Sequence, residues 1–102
     1  MSDKTQELLE RYRAVMMPTY APSTVIASGK GLTVRDADGM MYYDFTSGIG
    51  VQSVGYGCKK VVEAIQKQAS VLTHCSNLYA SVPAIRLAER LVELSGLGGK
   101  VF

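Results

Sequence analysis

Cysteine and histidine are scarce in this chain of 102 residues, which has two cysteines, Cys58 and Cys75, and one histidine, His74. Two cysteines cannot form the disulfide framework of a small secreted domain, so a reduced, cytoplasmic setting is expected. The sequence has no Cys-x-x-Cys or His-x-x-x-His spacing, and we predict no metal site. A Cys–His or Ser–His nucleophile pair is also disfavoured, because the single histidine has no acid near it in the sequence.

The chain also lacks an excess of charge of one sign and any long apolar run. Its net charge of +2 is too small for the basic field of a nucleic-acid-binding protein. No run approaches the ~18 apolar residues of a membrane span, and residues 1–13 have no apolar segment of the kind found in signal peptides. A hydrophobic content of 47% against 20% charged residues excludes disorder by composition. We therefore expect a folded protein that binds neither nucleic acid nor membrane.

Residues 1–17 are predicted to form an amphipathic helix, because apolar residues recur there at helical spacing. These residues are Leu8, Leu9, Tyr12, Val15 and Met16. The helix is expected to open at Ser2 or Asp3 and to stop before Pro18. Pro18 and Pro22 then bracket an extended segment in which Tyr20 has no helix or sheet of its own to pack within.

Residues 18–57 are predicted to contain this extended segment, antiparallel strands and a glycine-rich loop. Apolar and polar side chains alternate between residues 24 and 45, which indicates strands that end at Phe45. The string Asp36-Ala37-Asp38-Gly39 has the composition of a hairpin turn. Four glycines between residues 47 and 57 predict a loop whose backbone can approach another group closely.

Residues 58–95 are predicted to form two amphipathic helices, the second with Ser81 as N-cap, Pro83 in its first turn and Gly96 as its stop. Residues 100–102 look like the start of a strand. A small sheet and two wide apolar helix faces lack a second layer to cover them, which indicates a fragment or a segment that packs on another chain. The predicted fold class of this segment is α+β.

The glycine-rich loop does not match the known phosphate-binding loops. A phosphate loop needs lysine and Ser/Thr directly after its last glycine, and here Tyr56 follows Gly55. A dinucleotide fingerprint would need a third glycine at the position of Lys60. The spacing alone favours a tight turn before a helix.

Specific strings, in order along the chain, carry a resemblance to a known family. They are Met16-Met17-Pro18-Thr19-Tyr20-Ala21-Pro22, Gly29-Lys30-Gly31, Val34-Arg35-Asp36, Tyr43-Asp44-Phe45, Ser47-Gly48-Ile49-Gly50-Val51, His74-Cys75-Ser76-Asn77-Leu78-Tyr79 and Leu87-Ala88-Glu89-Arg90-Leu91. Together they resemble the N-terminal part of the acetylornithine aminotransferases, which belong to the class-III, fold-type-I aminotransferases that use pyridoxal 5'-phosphate (PLP). One string departs from the family, since Gly55-Tyr56-Gly57-Cys58-Lys59 stands where Gly-His-x-x-Pro is usual.

The resemblance implies an α/β enzyme of arginine biosynthesis that acts as a homodimer and moves the δ-amino group of N-acetylornithine to 2-oxoglutarate. It also implies that the main PLP-binding residues, including the Schiff-base lysine, lie beyond Phe102. Residues 96–102 would then be the entry to the large PLP-binding domain, which is absent. We accordingly expect no catalytic residue within these 102 residues and no activity from them alone.

The resemblance further assigns roles by position. Tyr20, Ile49 and Val51 are expected to contact the substrate, and an aliphatic residue at position 49, where ornithine-type relatives carry tyrosine, would leave room for an acylated amine. Tyr56 stands in place of the histidine near the active site. Asn77 and Tyr79 are expected near the subunit interface.

Two alternatives stay open. The enzyme could act on ornithine, succinylornithine or 4-aminobutyrate instead. The chain could also be a non-catalytic, stand-alone interaction module that reuses this N-terminal segment. The reading frame after Phe102 distinguishes the module from the enzyme.

Overall fold

The computed structural model describes residues 3–102, which form three helices and one small antiparallel sheet. In chain order the elements are α1 (Asp3–Val15), β1 (Ile26–Lys30), β2 (Thr33–Asp36), β3 (Met41–Tyr43), α2 (Lys59–Ala69) and α3 (Val82–Ser95). The chain divides into two compact units, one up to residue 63 and one from residue 64 to residue 102. This content of helices and antiparallel strands confirms the predicted α+β class.

Helix α1 buries only part of the apolar face that the sequence predicts, since Val15 and Met16 are exposed. Leu9 is 2% exposed, and Thr5, one turn before it, is equally buried. The backbone N–H of Thr5 donates to Oδ1 of Asp38 at 3.2 Å, which ties the first turn of the helix to the hairpin. Ser2, one of the two predicted N-caps, lies outside the described residues.

Helix α1 ends two residues earlier than predicted. The backbone N–H of Met16 donates to the carbonyl of Tyr12 at 2.8 Å and makes the last helical bond. Pro18 cannot donate such a bond and disfavours a helical conformation at the residue before it. The chain therefore leaves the helix after Val15.

The sheet is a meander in the order β1-β2-β3, antiparallel throughout. Gly29 pairs with Val34 across the first hairpin, and Val34 pairs with Tyr42 across the second. Val34 is 6% exposed and is the buried apolar side chain of the sheet. The short sheet thus has one buried apolar position, and β1 exposes all five of its residues.

The predicted hairpin turn at residues 36–39 is present, and Asp36 organises it. Oδ1 of Asp36 accepts from the backbone N–H groups of Asp38 at 3.0 Å and Met40 at 2.8 Å. Oδ2 accepts from the hydroxyl of Tyr42 at 2.9 Å. Asp36 is only 7% exposed, so these bonds replace the water that its carboxylate loses on folding.

Strand β3 is shorter than predicted and ends at Tyr43 rather than at Phe45. The backbone N–H of Asp44 still donates to the carbonyl of Leu32 at 2.9 Å. The amides of Thr46 and Ser47 donate instead to the carboxylate of Asp44, which turns the chain out of the sheet.

In the second unit, α3 has the predicted ends. Pro83 lies in its first turn, Ser81 is the N-cap residue without a side-chain capping bond, and Gly96 ends the helix with φ of 64°. No side chain of α2 or α3 is buried. Within residues 3–102, no helix combines the length and the apolar character that crossing a membrane needs.

The strand expected at residues 100–102 is not formed. A strand exists only when a neighbour pairs with its backbone, and no described strand pairs with these residues.

Candidate functional site

The loop of residues 46–57 joins β3 to α2 and begins with a left-handed turn. Four consecutive residues have positive φ, namely Ser47 at 54°, Gly48 at 58°, Ile49 at 59° and Gly50 at 91°. The N–H of Ile49 donates to the carbonyl of Thr46 at 2.9 Å, and the N–H of Gly50 donates to that of Ser47 at 3.0 Å. These hydrogen bonds give the first part of the loop a defined backbone conformation.

Ile49 is the strained residue of this turn. A left-handed backbone costs an ordinary residue roughly 1–2 kcal/mol, and a β-branched side chain fits it worst. The side chain is 92% exposed, so burial does not offset that strain. Strained residues persist where their surroundings hold them, and they cluster at functional sites. Ile49 and the similarly exposed Val51 thus mark this loop as the candidate site.

Asp44 holds the beginning of the turn. Its Oδ1 accepts from the N–H of Thr46 at 2.8 Å and from the N–H of Ser47 at 2.9 Å. Its Oδ2 accepts from the hydroxyl of Tyr56 at 2.6 Å. One carboxylate thus links the first and the last part of the loop.

Tyr56 fixes the end of the loop to the sheet. Its N–H donates to the carbonyl of Gly31, and its carbonyl accepts from the N–H of Gly31, each at 2.9 Å. The ring lies directly over Gly29, where a Cβ would come within 2.5 Å of Cγ of Tyr56. Gly55 has φ of 82°, and a Cβ there would lie 3.1 Å from the carbonyl oxygen of Gly31. Glycine at both positions permits this close approach of loop and sheet.

The Tyr56–Asp44 bond shifts the pKa values of both groups. The hydrogen bond from Tyr56, followed by the one from the N–H of Ser47, lowers the pKa of Asp44 below 3.8. The hydrogen bond to Asp44, followed by burial, raises the pKa of Tyr56 above 10.0. The bond is made by the charged form of Asp44 and the neutral form of Tyr56.

This arrangement predicts a pH window for the loop. The lowered pKa of Asp44 gives stability that is present above pH 3.8 and is lost as the pH falls through the folded value. The raised pKa of Tyr56 gives stability that is present below pH 10.0 and is lost as the pH rises through the folded value. The melting-temperature difference between wild type and Tyr56→Phe should be constant between these limits and shrink outside them. A difference that changed through neutral pH would contradict this assignment.

Tyr20 lies in the first unit but in a different place from the loop. It lines an apolar groove of about 480 Å³ between the last turns of α1 and the proline-bracketed segment. The residues that share this groove include Leu9, Tyr12, Met16 and Pro18. The ring itself is 81% exposed, so the segment presents an aromatic face to its surroundings.

Asn77 and Tyr79 lie in the second unit, in the turn between α2 and α3. Asn77 borders a cavity of about 240 Å³ together with Gln68, His74 and Cys75. The backbone N–H of Tyr79 donates to the carbonyl of Ser76 at 3.3 Å, and its side chain is exposed. Of the predicted site residues, the structure thus places Ile49, Val51 and Tyr56 on one loop and these two on one turn.

Sequence reasoning missed Asp44 and Gly29 as determinants of the site. In the sequence, Asp44 belongs only to the alternating strand pattern and to the family string Tyr43-Asp44-Phe45. The local sequence does indicate this role, because an aspartate followed by Thr46 and Ser47 is typical of a turn in which the carboxylate accepts backbone amides. The contact of Gly29 with Tyr56 joins residues far apart in sequence, and no local pattern reports it.

Residues 3–102 do not by themselves form a PLP site. The lysine that binds PLP as an imine is a desolvated amine with a lowered pKa, whereas the lysines described here are all exposed. The described part of the chain also has no cluster of three or more acidic, histidine or cysteine side chains that could hold a metal ion.

The chain is similar to known proteins of one family. The family described as "Aminotransferase class-III" matches residues 15–102. An acetylornithine aminotransferase of Methanocaldococcus jannaschii is 55% identical over 78 residues, which are 76% of this chain and 20% of that protein.

Two solved structures share the fold. The N-acetylornithine aminotransferase of Stenotrophomonas maltophilia has a TM-score of 0.80 at 32% identity, over 92% of this chain and 24% of that one. An ornithine aminotransferase of Toxoplasma gondii, crystallised with oxidised glutathione and with partial occupancy of PLP at its active site, has a TM-score of 0.82 at 31% identity. The latter match covers 93% of this chain and 22% of that one.

This chain spans about a quarter or less of the length of each of these proteins. The matched residues nevertheless include the glycine-rich loop, Asp44 and Tyr56, and they run from the end of α1 to the last residue. The chain belongs to the class-III aminotransferase family.

Proposed function

We propose that this chain is the N-terminal part of a PLP-dependent aminotransferase that moves the δ-amino group of N-acetylornithine to 2-oxoglutarate, a step of arginine biosynthesis. The observation that carries the proposal is the family match over residues 15–102, joined to 55% identity with a protein named acetylornithine aminotransferase. PLP, when bound, supplies the electron sink for transamination. Residues 3–102 contribute binding surface rather than the cofactor lysine.

The exposed Ile49 supports an acylated amine as the substrate. Free ornithine carries an α-ammonium group, and placing that charge against an aliphatic wall without a partner costs several kcal/mol. Acetylation removes the charge and adds a methyl group, whose burial against isoleucine contributes roughly 1 kcal/mol. Both effects favour N-acetylornithine. In this proposal Val51 extends the same wall, and Tyr20 orients whichever amine is bound.

The proposal includes a homodimer in the cytoplasm. Helices α2 and α3 bury none of their side chains, and apolar residues on both are open to their surroundings. In this proposal these exposed apolar side chains form an interaction face, as large apolar surfaces commonly do. Tyr56, Asn77 and Tyr79 would lie at or near the contact between the subunits.

One observation favours ornithine as the amine substrate instead. The Toxoplasma gondii structure is an ornithine aminotransferase and overlaps as well as the N-acetylornithine enzyme does. The backbone of this segment therefore does not separate the two substrates, and the side chain at position 49 has to be tested. A non-catalytic module would transaminate neither amine.

Ile49→Tyr is the variant that tests the substrate. The larger side chain narrows the site and supplies a hydroxyl, so kcat/KM for N-acetylornithine should fall by more than kcat/KM for ornithine in the full-length enzyme. Tyr20→Ala should lower both, since loss of an orienting contact harms either substrate. Ile49→Ala is the matched control, because it shortens the side chain without adding a hydroxyl and should keep the preference for the acetylated amine.

The ratio of the two kcat/KM values decides the assignment. If Ile49→Tyr changes that ratio by less than about twofold, which is ~0.4 kcal/mol, Ile49 does not line the substrate site.

A further inference from the structure

The left-handed turn in the loop of residues 46–57 depends on hydrogen bonds for its conformation. The left-handed turn at residues 47–50 is strained at Ile49, and the side chain of Ile49 packs against little because it is 92% exposed. The turn is therefore held by its hydrogen bonds rather than by burial. The amides of Ile49 and Gly50 bond to the carbonyls of Thr46 and Ser47, and the amides of Thr46 and Ser47 in turn donate to Oδ1 of Asp44.

Asp44 is itself held at two points. Its backbone N–H continues the ladder of β2 and β3 by donating to Leu32 at 2.9 Å. Its Oδ2 accepts the hydroxyl of Tyr56 at 2.6 Å. With Oδ2 engaged in this way, the carboxylate has one orientation, and Oδ1 points at the start of the turn.

Tyr56 is in turn held by the sheet. Its backbone exchanges two hydrogen bonds with Gly31, and its ring rests on the open face of Gly29. The sheet thus contacts the ring of Tyr56, and the hydroxyl of Tyr56 binds Asp44. Asp44 binds the amides at the start of the turn that contains Ile49. We name Tyr56, Asp44 and Gly29 the loop clamp.

We propose that Tyr56 and Asp44 are positioning residues, which fix the left-handed turn and thereby set where Ile49 stands against the acyl end of the amine substrate. The inference rests on the proposed function, because it gives Ile49 a substrate to discriminate. Neither Tyr56 nor Asp44 has to touch the substrate. Their effect reaches it through the backbone of residues 46–50.

The chain offers a matched control for the hydroxyl of Tyr56. Tyr42 donates from its own hydroxyl to a carboxylate oxygen of Asp36 at 2.9 Å, in the same sheet. The same carboxylate binds the amides of Asp38 and Met40, so the bond belongs to the turn of residues 36–40. Tyr42→Phe therefore removes the same kind of bond from the same sheet while leaving the loop clamp intact.

The test compares wild type, Tyr56→Phe and Tyr42→Phe in the full-length protein by two readouts. The first is hydrogen exchange of the backbone amides of the turn, including those of Ile49, Gly50 and Gln52. The second is the ratio of kcat/KM for N-acetylornithine to kcat/KM for ornithine. Tyr56→Phe keeps the ring over Gly29, so the fold should persist.

We expect Tyr56→Phe to speed exchange in the turn by at least about threefold and to lower the substrate ratio by about fivefold. Tyr42→Phe should change neither by as much as about twofold. Faster exchange with an unchanged ratio would reduce the clamp to a structural role and overturn the inference. Unchanged exchange would overturn it as well.

The two readouts separate this inference from the proposed function. A wild-type protein that transaminates neither amine defeats the proposed function and, with it, the role of the clamp in selecting substrate. A wild-type protein that transaminates both, with a ratio that Tyr56→Phe and Tyr42→Phe change equally, defeats the clamp alone.

Discussion

Gly29→Ala should destabilise the first unit by about 2–3 kcal/mol, near the upper part of the range for overpacking. The added Cβ would lie 2.5 Å from Cγ and 2.7 Å from Cδ1 of the Tyr56 ring. A ring atom next to the backbone cannot swing away as the end of a flexible side chain can. Tyr56 would have to leave Gly31 or Asp44. The measurement is the melting temperature of the full-length protein, together with proteolysis of the loop.

Gly99→Ala is the matched control for this substitution. A Cβ at Gly99 would meet no atom within 4 Å, and its backbone does not have positive φ. The same change of side chain should therefore have almost no effect there. The loss at Gly29 should also be smaller in a Tyr56→Ala background, because the clash is then gone. If Gly29→Ala lowered stability equally with and without the ring of Tyr56, the contact between residue 29 and that ring would be contradicted.

Asp36→Ala should cost about 3 kcal/mol or more, because it leaves several hydrogen-bonding groups without an acceptor at a buried position. The groups concerned are the amides of Asp38 and Met40 and the hydroxyl of Tyr42. The hairpin turn also contacts the first turn of α1 through Asp38 and Thr5. Loss of the turn should thus loosen the helix, which circular dichroism and thermal melting would report.

Asp36→Asn serves as the conservative comparison. Its amide oxygen can still accept both backbone N–H groups, so we expect less than half of the loss seen with alanine. Removal of an exposed ion pair, as in Glu63→Ala, should change stability by about 0.5 kcal/mol or less, because Glu63 meets Lys59 only on the surface. If Asp36→Ala were as mild as Glu63→Ala, the buried carboxylate would not organise the hairpin.

The parts of the fold that sequence could predict are those set by neighbours in the chain. The turn at residues 36–39 follows from its aspartates and its glycine, and the ends of α3 follow from Ser81, Pro83 and Gly96. Each of these signals acts within a few residues. Local chemistry is enough to place them.

The parts that sequence could not predict depend on contacts between distant residues or on missing neighbours. The glycine spacing of residues 48–57 indicated a loop but not that Ile49 would adopt a left-handed backbone. The start of that turn contacts Asp44, which also binds the hydroxyl of Tyr56, whose ring lies over Gly29. The roles in substrate binding came from resemblance alone, and those of Tyr20, Ile49 and Val51 stay predictions.

The central claim is that this chain serves an aminotransferase that acts on N-acetylornithine. Its most direct test is to supply the full-length protein and PLP with N-acetylornithine carrying ¹⁵N at the δ-amino group, together with 2-oxoglutarate, and to follow the label. We predict that ¹⁵N appears in glutamate in equal amount to the semialdehyde formed, and faster than from ornithine labelled at the same nitrogen. Glutamate that stays unlabelled, or label that passes faster from ornithine, would contradict the account.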